Sequence, residues 1–329
     1  MRHFTPAYLD EIDQALWEMH GRGIGIGRDR ELESCTMEDF PLPEFGKDLA
    51  ETRIQLQEGP GFQMYRGFPL EKYSEDELRE IFWGIGIHVG VPLSQSKYGD
   101  KMGDVRVVND IIHLSGRGYT SDRELTFHSD GCDVTALFCL TAAKSGGISR
   151  LCSAVAARNE LARRRPDLLE VLYQPVMWSR RGNQMPGTPS FYQQAVYGQE
   201  QGVFVSRFLR EQIKRGFEES GVTISPEQTE ALDLLDEITQ DSQFHFDKSF
   251  QLGDMQLMNN LRTYYARTAF EDDEDPAKRR HLLRLWLSPP NSPALPETFG
   301  NFFADRSAGA VRGGNPPHDE VLFETPKND

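Results

Sequence analysis

Apolar residues recur at helical spacing in three parts of the chain. The first part is residues 6–20, where one apolar face is formed by Leu9, Ile12, Leu16 and Met19. Gly21 is expected to end this helix. Two further helices are predicted to begin after Ser74 and Ser225 and to continue, in the second case, to about residue 238. Each of these serines is followed three residues later by Glu or Gln, which is the capping-box pattern.

Short apolar stretches bounded by turn residues predict strands, most of them in the second half of the chain. They cover residues 61–67, 104–108, 134–140, 202–205, 255–258, 263–270 and 281–287. No fixed repeat connects them. The pattern favours a mostly β fold with flanking helices. A partly helical insertion at about residues 166–212 interrupts it, and a Pro- and Gly-rich tail follows that we expect to be loosely packed.

Composition narrows the range of partners. The chain has 329 residues, with 51 acidic and 36 basic side chains and a net charge of −15. Such a charge repels nucleic acid and anionic membranes, so neither is expected as a partner. Because no apolar run is long enough for a signal peptide or a membrane span, we expect a cytoplasmic protein. Its four irregularly spaced cysteines are then expected to be buried and reduced. A homo- or hetero-oligomer is compatible with all of this.

The candidate chemistry begins at His128 and Asp130. These residues stand two apart, so on a strand their side chains project to the same face. One imidazole and one carboxylate supply two of the three ligands in a 2-His-1-carboxylate iron site. Taken alone, the pattern is common. The alternative is a turn in which the histidine bonds to the neighbouring aspartate.

Several longer segments place this pair in a wider context. Five segments resemble motifs of the TauD/TfdA dioxygenases and occur in the same order as in that family. They are residues 127–140, 143–149, 252–260, 266–270 and 280–287. These motifs are a His-Ser-Asp turn with its core strand, a Gly-Gly-x-Ser turn, a Gly-Asp strand with an Asn-rich turn, an Arg-Thr-x-Phe segment and a closing Arg-x-x-x-Arg strand. The resemblance implies a double-stranded β-helix, a cupin-like jelly-roll barrel, over residues 55–292. Residues 1–54 would be a helical extension packed on the barrel, and residues 293–329 the tail.

The resemblance also implies the cofactors, Fe(II) and 2-oxoglutarate. Arg280 would bind the distal carboxylate of 2-oxoglutarate, and Ser149 would add a hydroxyl to the same carboxylate. Arg284 would contact either the cosubstrate or an anionic substrate. The alternative for both arginines is a salt bridge with the acidic run at residues 271–276. Asn109 would either contact substrate or form a turn, and Arg207 and Tyr192 in the insertion are further candidates for substrate contact.

The chain departs from the family pattern at the third iron ligand. Tyr265 stands where the family has histidine, and shifting the alignment by one residue gives Tyr264. The other candidate histidines fit poorly: they are His113, His245 and His281. A phenol must lose a proton with a pKa of about 10 before it binds a metal, whereas a neutral imidazole binds Fe(II) directly. Either Tyr265 is a ligand, or water or another residue replaces it, or iron is not bound.

Two functions therefore follow from the sequence. The first is an iron(II)/2-oxoglutarate oxygenase that uses O2 to oxidise a C–H bond of a small molecule, by hydroxylation, desaturation or cyclisation. The second is a catalytically inactive relative that acts as a binding or partner subunit. Tyr265 favours the second, whereas the retained His128, Asp130 and Arg280 favour the first.

Overall fold

The structure is a computed structural model that describes residues 1–107 and 122–318. Its helices are α1 Pro6–Gly21, α2 Phe45–Glu58, α3 Glu75–Val89, α4 Ala154–Arg164, α5 Pro166–Leu172, α6 Arg210–Ser220, α7 Pro226–Gln240 and α8 Gly300–Phe303. Its strands are β1 Arg2–His3, β2 Phe62–Arg66, β3 Val91–Leu93, β4 Met102–Val105, β5 Leu125–His128, β6 Val134–Thr141, β7 Ser145–Gly146, β8 Ser149–Ser153, β9 Pro175–Ser179, β10 Phe191–Ala195, β11 Tyr197–Glu200, β12 Val203–Ser206, β13 His245–Lys248, β14 Met255–Asn259, β15 Thr263–Arg267, β16 Phe270–Glu271 and β17 His281–Ser288. Within the described parts of the chain, no helix has both the length and the apolar character needed to cross a membrane.

Two sheets carry the site. The larger one has the order β1-β2-β14-β6-β17-β3, with β4 also paired to β17, and the smaller one has the order β13-β8-β15-β5. A cluster of apolar side chains joins the two sheets, with Leu151 and Tyr265 on one side and Met258 on the other. The chain passes from the small sheet to the large one between β5 and β6, and back again between β14 and β15. Both of these corners contribute to the site.

The helices cover the sheets on separate sides. Helices α1, α2 and α3 pack on the large sheet and share its core with side chains such as Phe138, Leu283 and Leu285. Helices α4 to α7 form a second core with the small sheet, around Trp178 and Tyr264. Each core contains alternate residues of the adjacent strands, as expected for a sheet that buries one face against helices.

Most predicted elements are present. The N-terminal helix extends one residue further than expected, because Gly21 is its last residue and Arg22 caps it. The capping boxes at Ser74 and Ser225 are both formed. The predicted strand 263–270 is divided into β15 and β16 after an irregularity between Tyr265 and Arg267. All four cysteines are free and buried.

The expectation of a loosely packed C-terminal tail is wrong for residues 293–318. Leu295, Phe299 and Phe303 are buried against Val205 and Leu261. This segment therefore belongs to the folded body, and it also forms part of the site described below.

Candidate active site

His128 is the last residue of β5, where it is buried. Its Nδ1 lies 2.8 Å from the carbonyl oxygen of Thr126, so Nδ1 must donate and Nε2 keeps its lone pair. Burial lowers the pKa of His128, which keeps the imidazole neutral. A neutral ring held by a carbonyl at one nitrogen is the usual arrangement of a metal-binding histidine.

Asp130 lies in the corner between β5 and β6. Its backbone N–H donates to Asn260 Oδ1 at 2.8 Å, which ties this corner to the one between β14 and β15. Its Oδ2 accepts hydrogen bonds from Trp286 Nε1 at 2.8 Å and Thr135 Oγ1 at 3.3 Å, with Arg284 Nη1 at 3.4 Å. Burial alone would raise the pKa of Asp130, but the charge of Arg284 and these hydrogen bonds hold it below its ordinary value. The carboxylate is therefore ionised.

Tyr265 lies directly beside this pair. Its Cα is opposite that of His128 in the β15–β5 ladder, and the two ring centroids are 4.5 Å apart. Its hydroxyl is buried and lies beside the Asp130 carboxylate, and hydrogen bonding between the two groups helps to lower the pKa of Asp130. Burial and the nearby charge of Asp130 raise the pKa of Tyr265 well above its ordinary value. An imidazole nitrogen, a carboxylate and a phenol oxygen thus share one buried corner.

The other candidates for the third ligand lie elsewhere or outside the described residues. Tyr264 faces the second helical core and stacks edge-on with Phe208. His245 contacts Thr239, and His281 Nε2 lies 2.6 Å from Asp104 Oδ1. His113 and Asn109, which the sequence placed before the metal turn, fall outside the described residues.

Arg280 lies in a second buried cluster. Its side chain is only 5% exposed, and its Nη1 has no hydrogen bond with any described residue. The guanidinium of Arg267 lies 4.6 Å from the Phe270 ring centroid, and that of Arg280 lies 5.2 Å from the same centroid. Burial and the neighbouring charge of Arg280 lower the pKa of Arg267 to about 10. Ser149 is paired with Arg267 across the sheet and is also buried.

The alternative salt bridges with the acidic run are not formed in the described residues. Asp272 accepts a hydrogen bond from the backbone N–H of Arg280 at 2.7 Å, but no carboxylate of a described residue lies within ion-pair distance of the Arg280 side chain. Arg284 instead pairs with Asp130 and donates from Nε to Gln95 Oε1 at 2.7 Å. The two arginines therefore have different surroundings.

A pocket of about 310 Å³ opens beside Asp130, and its lining also includes Arg284, Trp286, Arg180, Arg207 and Phe302. Arg207 donates a hydrogen bond to the hydroxyl of Tyr192, so these two residues, proposed from the insertion, lie together. The C-terminal segment also contributes to the wall, through residues such as Phe302 and Asn315.

Some residues at this site carried no signal in the sequence. Trp286 holds Asp130 from a strand more than a hundred residues away, and Asn260 holds it from another corner. Arg267 lies inside the Arg-Thr-x-Phe segment, but only the fold brings it next to Arg280. The Arg-x-x-x-Arg spacing identified Arg280 and Arg284, but it did not predict that Arg280 lies near Arg267 whereas Arg284 pairs with Asp130.

Known proteins match the chain along most of its length. The family model for taurine catabolism dioxygenase TauD, TfdA family, matches residues 28–286. The FR-33289 synthase of Streptomyces rubellomurinus is 34% identical over 265 residues, which cover 78% of this chain and 77% of the synthase. The taurine hydroxylase-like protein SAT17 of Stachybotrys chartarum is 29% identical over 310 residues, which cover 87% of this chain and 76% of that protein.

Solved structures with similar folds are iron oxygenases. An asparagine oxygenase solved with Fe(II), hydroxyasparagine and succinate has a TM-score of 0.66 and 16% identity, over 94% of this chain and 99% of that one. The non-heme iron oxygenase OrfP, solved with Fe and α-ketoglutaric acid, has a TM-score of 0.63 and 14% identity, over 87% and 93% of the two chains.

These matches bear on the predictions made from the sequence. The structural likeness confirms the double-stranded β-helix with flanking helices. The family match and the relatives confirm an enzyme of the non-heme iron(II)/2-oxoglutarate oxygenases, and they do not favour the inactive alternative. The chain belongs to the taurine catabolism dioxygenase TauD, TfdA family.

Proposed function

We propose that this protein oxidises a C–H bond of a small molecule at an iron centre held by His128, Asp130 and Tyr265. The observation that carries the proposal is the buried corner itself. His128 Nε2 keeps a lone pair, Asp130 is ionised, and the buried Tyr265 hydroxyl lies beside the Asp130 carboxylate. Donor groups of this kind fit Fe(II), and a bound cation would favour loss of the Tyr265 proton.

The second buried cluster is proposed to bind 2-oxoglutarate. Arg280 would pair with its distal carboxylate, because Arg280 Nη1 is buried and lacks a partner among the described residues. Arg267 adds a second positive charge, and Ser149 adds a hydroxyl from the neighbouring strand. Two buried guanidiniums side by side repel each other until an anion lies between them.

The remaining residues position the reacting groups. When bound, iron and 2-oxoglutarate together supply the means to oxidise a C–H bond with O2. Trp286 and Arg284 fix one carboxylate oxygen of Asp130, and Asn260 fixes its backbone. Thr126 orients His128. The pocket beside Asp130 receives the substrate and excludes bulk water from the corner.

We also propose O2 as the third small-molecule partner and a cytoplasmic location. The location is supported by the four buried, unpaired cysteines, which suit a reducing compartment. Whether the product is hydroxylated, desaturated or cyclised depends on the substrate pose in the pocket.

The test is an anaerobic titration of the purified protein with Fe(II) and then 2-oxoglutarate. The wild-type protein is expected to develop the visible charge-transfer absorption of an iron-chelated 2-oxoacid. Tyr265→Phe removes only the hydroxyl and is expected to weaken iron binding by at least about tenfold. Tyr265→His supplies an imidazole and is expected to retain the absorption.

Tyr264→Phe is the matched control, because it removes the same atom from the neighbouring residue, which faces the other core. It should bind iron as the wild type does. If only Tyr265→His develops the absorption, the natural protein has lost this chemistry and the inactive alternative stands. If Tyr265→Phe binds iron as tightly as the wild type, Tyr265 is not a ligand.

A further inference from the structure

Arg207 is a nearly buried cation whose side chain contacts aromatic rings and neutral hydrogen-bond acceptors. It is 3% exposed, and its guanidinium lies 4.0 Å from the centroid of the Phe302 ring and 4.6 Å from that of Trp178. It donates to the Tyr192 hydroxyl and, at 3.2 Å, to Gln212 Oε1. Its Nε is buried and has no partner among the described residues. Ring faces and neutral acceptors stabilise the charge but do not neutralise it.

Arg180 is a second cation on the same wall of the pocket. Its guanidinium lies 4.7 Å from the Tyr192 ring centroid, and its Nη2 donates to the backbone oxygen of Asn301 at 3.0 Å. Its Nε is also buried without a described partner. Burial and the charge of Arg207 lower the pKa of Arg180, so the two guanidiniums lie close enough to repel each other.

Neither arginine has a counter-ion in the described parts of the chain. No carboxylate lies within 4.0 Å of Arg180 or Arg207, although acidic residues outnumber basic ones in the protein as a whole. Arg284 differs, because Asp130 already neutralises it. Two uncompensated cations at a pocket, one nearly buried and one half-buried, cost stability unless an anion binds them. This is the pattern of a binding site.

The backbone beside Arg180 supports the same conclusion. Arg181 also lines the pocket, and it has a positive φ of 52°, a conformation that non-glycine residues seldom adopt. Strained backbone of this kind is found at ligand-binding segments, where it holds a side chain in a required place. The loop after β9 thus adds a third positive charge to the pocket.

We propose that the substrate carries a doubly charged oxyacid group, a phosphonate or a phosphate monoester, and that Arg180 and Arg207 bind this group. The inference rests on the proposed function, because the same pocket opens on Asp130 and thus brings the rest of the substrate to the metal corner. The guanidiniums of Arg180 and Arg207 lie 4.7 and 5.9 Å from the centroid of the Tyr192 ring, and both residues line this pocket.

Charge and geometry favour a dianion over a carboxylate or a sulfonate. A dianion compensates both guanidiniums, whereas a single negative charge leaves one of them uncompensated. The planar forks of arginine also pair bidentately with phosphate-type oxygens.

The experiment measures anion binding by calorimetry at about pH 8, where inorganic phosphate carries two charges. The protein is held anaerobically with Fe(II) and saturating 2-oxoglutarate, so that the Arg280 cluster is filled. The probes are inorganic phosphate and methylphosphonate, compared with methanesulfonate and acetate. Phosphate and methylphosphonate are expected to bind at least about tenfold more tightly than the two monoanions.

Arg180→Gln and Arg207→Gln are each expected to weaken phosphate binding at least about tenfold. Arg163→Gln is the matched control, because Arg163 is a mostly exposed arginine on α4. It should leave phosphate binding unchanged. Arg180 is only partly buried, so Arg180→Gln tests the inference even if Arg207→Gln fails to fold.

Equal binding of all four anions, or equal loss in Arg163→Gln and Arg180→Gln, would overturn the inference. The charge-transfer absorption is read in the same samples. If the absorption is present but phosphate selectivity is absent, the inference fails and the proposed function stands. If phosphate binds selectively through Arg180 but no absorption develops, the anion site stands and the iron chemistry fails.

Discussion

Trp286 illustrates how single residues set the properties of this site. Its indole N–H donates to Asp130 Oδ2 at 2.8 Å and so fixes the carboxylate that is proposed to bind iron. Partners that orient a metal ligand are worth about 10–100-fold in metal affinity or activity. Trp286 also lines the substrate pocket, so its ring shapes the space beside the metal corner.

Trp286→Phe is therefore expected to weaken Fe(II) binding by about tenfold or more while the protein stays folded. The measurement is an anaerobic Fe(II) titration with thermal melting alongside. Trp83→Phe is the matched control. The Trp83 indole N–H is buried in the core between helices α1 to α3 and the large sheet, and it has no partner among the described residues. The prediction is contradicted if both variants bind iron equally well.

The sequence identified the residues that depend on local spacing. His128 and Asp130 lie two apart in one motif, and Arg280 lies in another, so each could be named from its own segment. Trp286 and Asn260 could not be assigned as partners of Asp130, because their contacts join positions 156 and 130 residues apart. Such contacts are set by strand register, which local patterns do not encode.

Helix α7 begins with a capping box that the sequence predicts, and it carries an unfavourably buried carboxylate, Asp236, near its C-terminal end. Its start was predictable because Ser225 and Gln228 form a capping box. Near its C-terminal end, Asp236 is mostly buried beside Asp233 and Glu211, and burial raises the pKa of Asp236 to about 6. A negative charge near a helix C-terminus is also disfavoured by the helix dipole. Arg210 lies 3.8 Å away and offsets only part of this cost.

The raised pKa of Asp236 makes the stability of the folded protein depend on pH. The folded-state pKa of Asp236 lies above the unfolded-state value of about 3.9, so the folded protein binds this proton more tightly. Stability from this group is therefore present at low pH and is lost as pH rises from about 4 to about 6. Asp236→Asn is expected to raise the free energy of unfolding by about 1–3 kcal/mol above pH 6.

Denaturant unfolding of wild type and Asp236→Asn across this pH range is the measurement. The gain should shrink as pH falls to about 4 and disappear below that, as the wild-type carboxyl becomes protonated in both the folded and the unfolded state. Asp233→Asn is the control, because Asp233 is exposed and pairs with Arg210. It is expected to be neutral or slightly destabilising. An Asp236→Asn gain that is the same at every pH would contradict the assigned cause.

Other elements escaped the sequence analysis for physical reasons. Helix α6 has only two buried apolar residues, Ile213 and Phe217, so few positions indicate its helical period. Its clearest sign is Gly221, which ends the helix in a left-handed conformation with φ of 69°. The C-terminal segment has the composition of a loop, and its burial arises from contacts with β12 and with the corner after β14.

At the scale of the whole molecule, the pocket is positively charged although the protein as a whole is negatively charged. The chain carries a net charge of −15, yet four arginines and one aspartate line the pocket. An acidic exterior repels anionic macromolecules, while a positive pocket attracts a small anion once it approaches. Anion binding at this pocket is therefore compatible with the exclusion of nucleic acid that composition predicts.

One buried ion pair, between Arg312 and Asp133, holds in place the C-terminal segment that forms part of the pocket wall. Arg312 and Asp133 both have fully buried side chains, and Arg312 Nη2 lies 2.9 Å from Asp133 Oδ1. Asp133 follows the metal turn directly, and the Gly314 N–H donates to the Gly131 oxygen at 2.7 Å. Arg312 also donates to the backbone oxygen of Pro293 at 2.7 Å. The pair therefore connects the last described segment to the corner that carries Asp130.

Arg312→Gln is expected to lower the free energy of unfolding by about 3–5 kcal/mol, because it leaves the Asp133 carboxylate buried without its partner. Limited proteolysis should then cleave within residues 293–318 sooner than in the wild type. Arg306→Gln is the control, since the Arg306 side chain donates to the Leu295 carbonyl at 3.2 Å and has no ion pair with a described residue. The double variant Asp133→Asn/Arg312→Gln should recover part of the loss, because it removes the unpaired charge as well. If Arg312→Gln costs no more than Arg306→Gln, the segment is held by its apolar contacts alone.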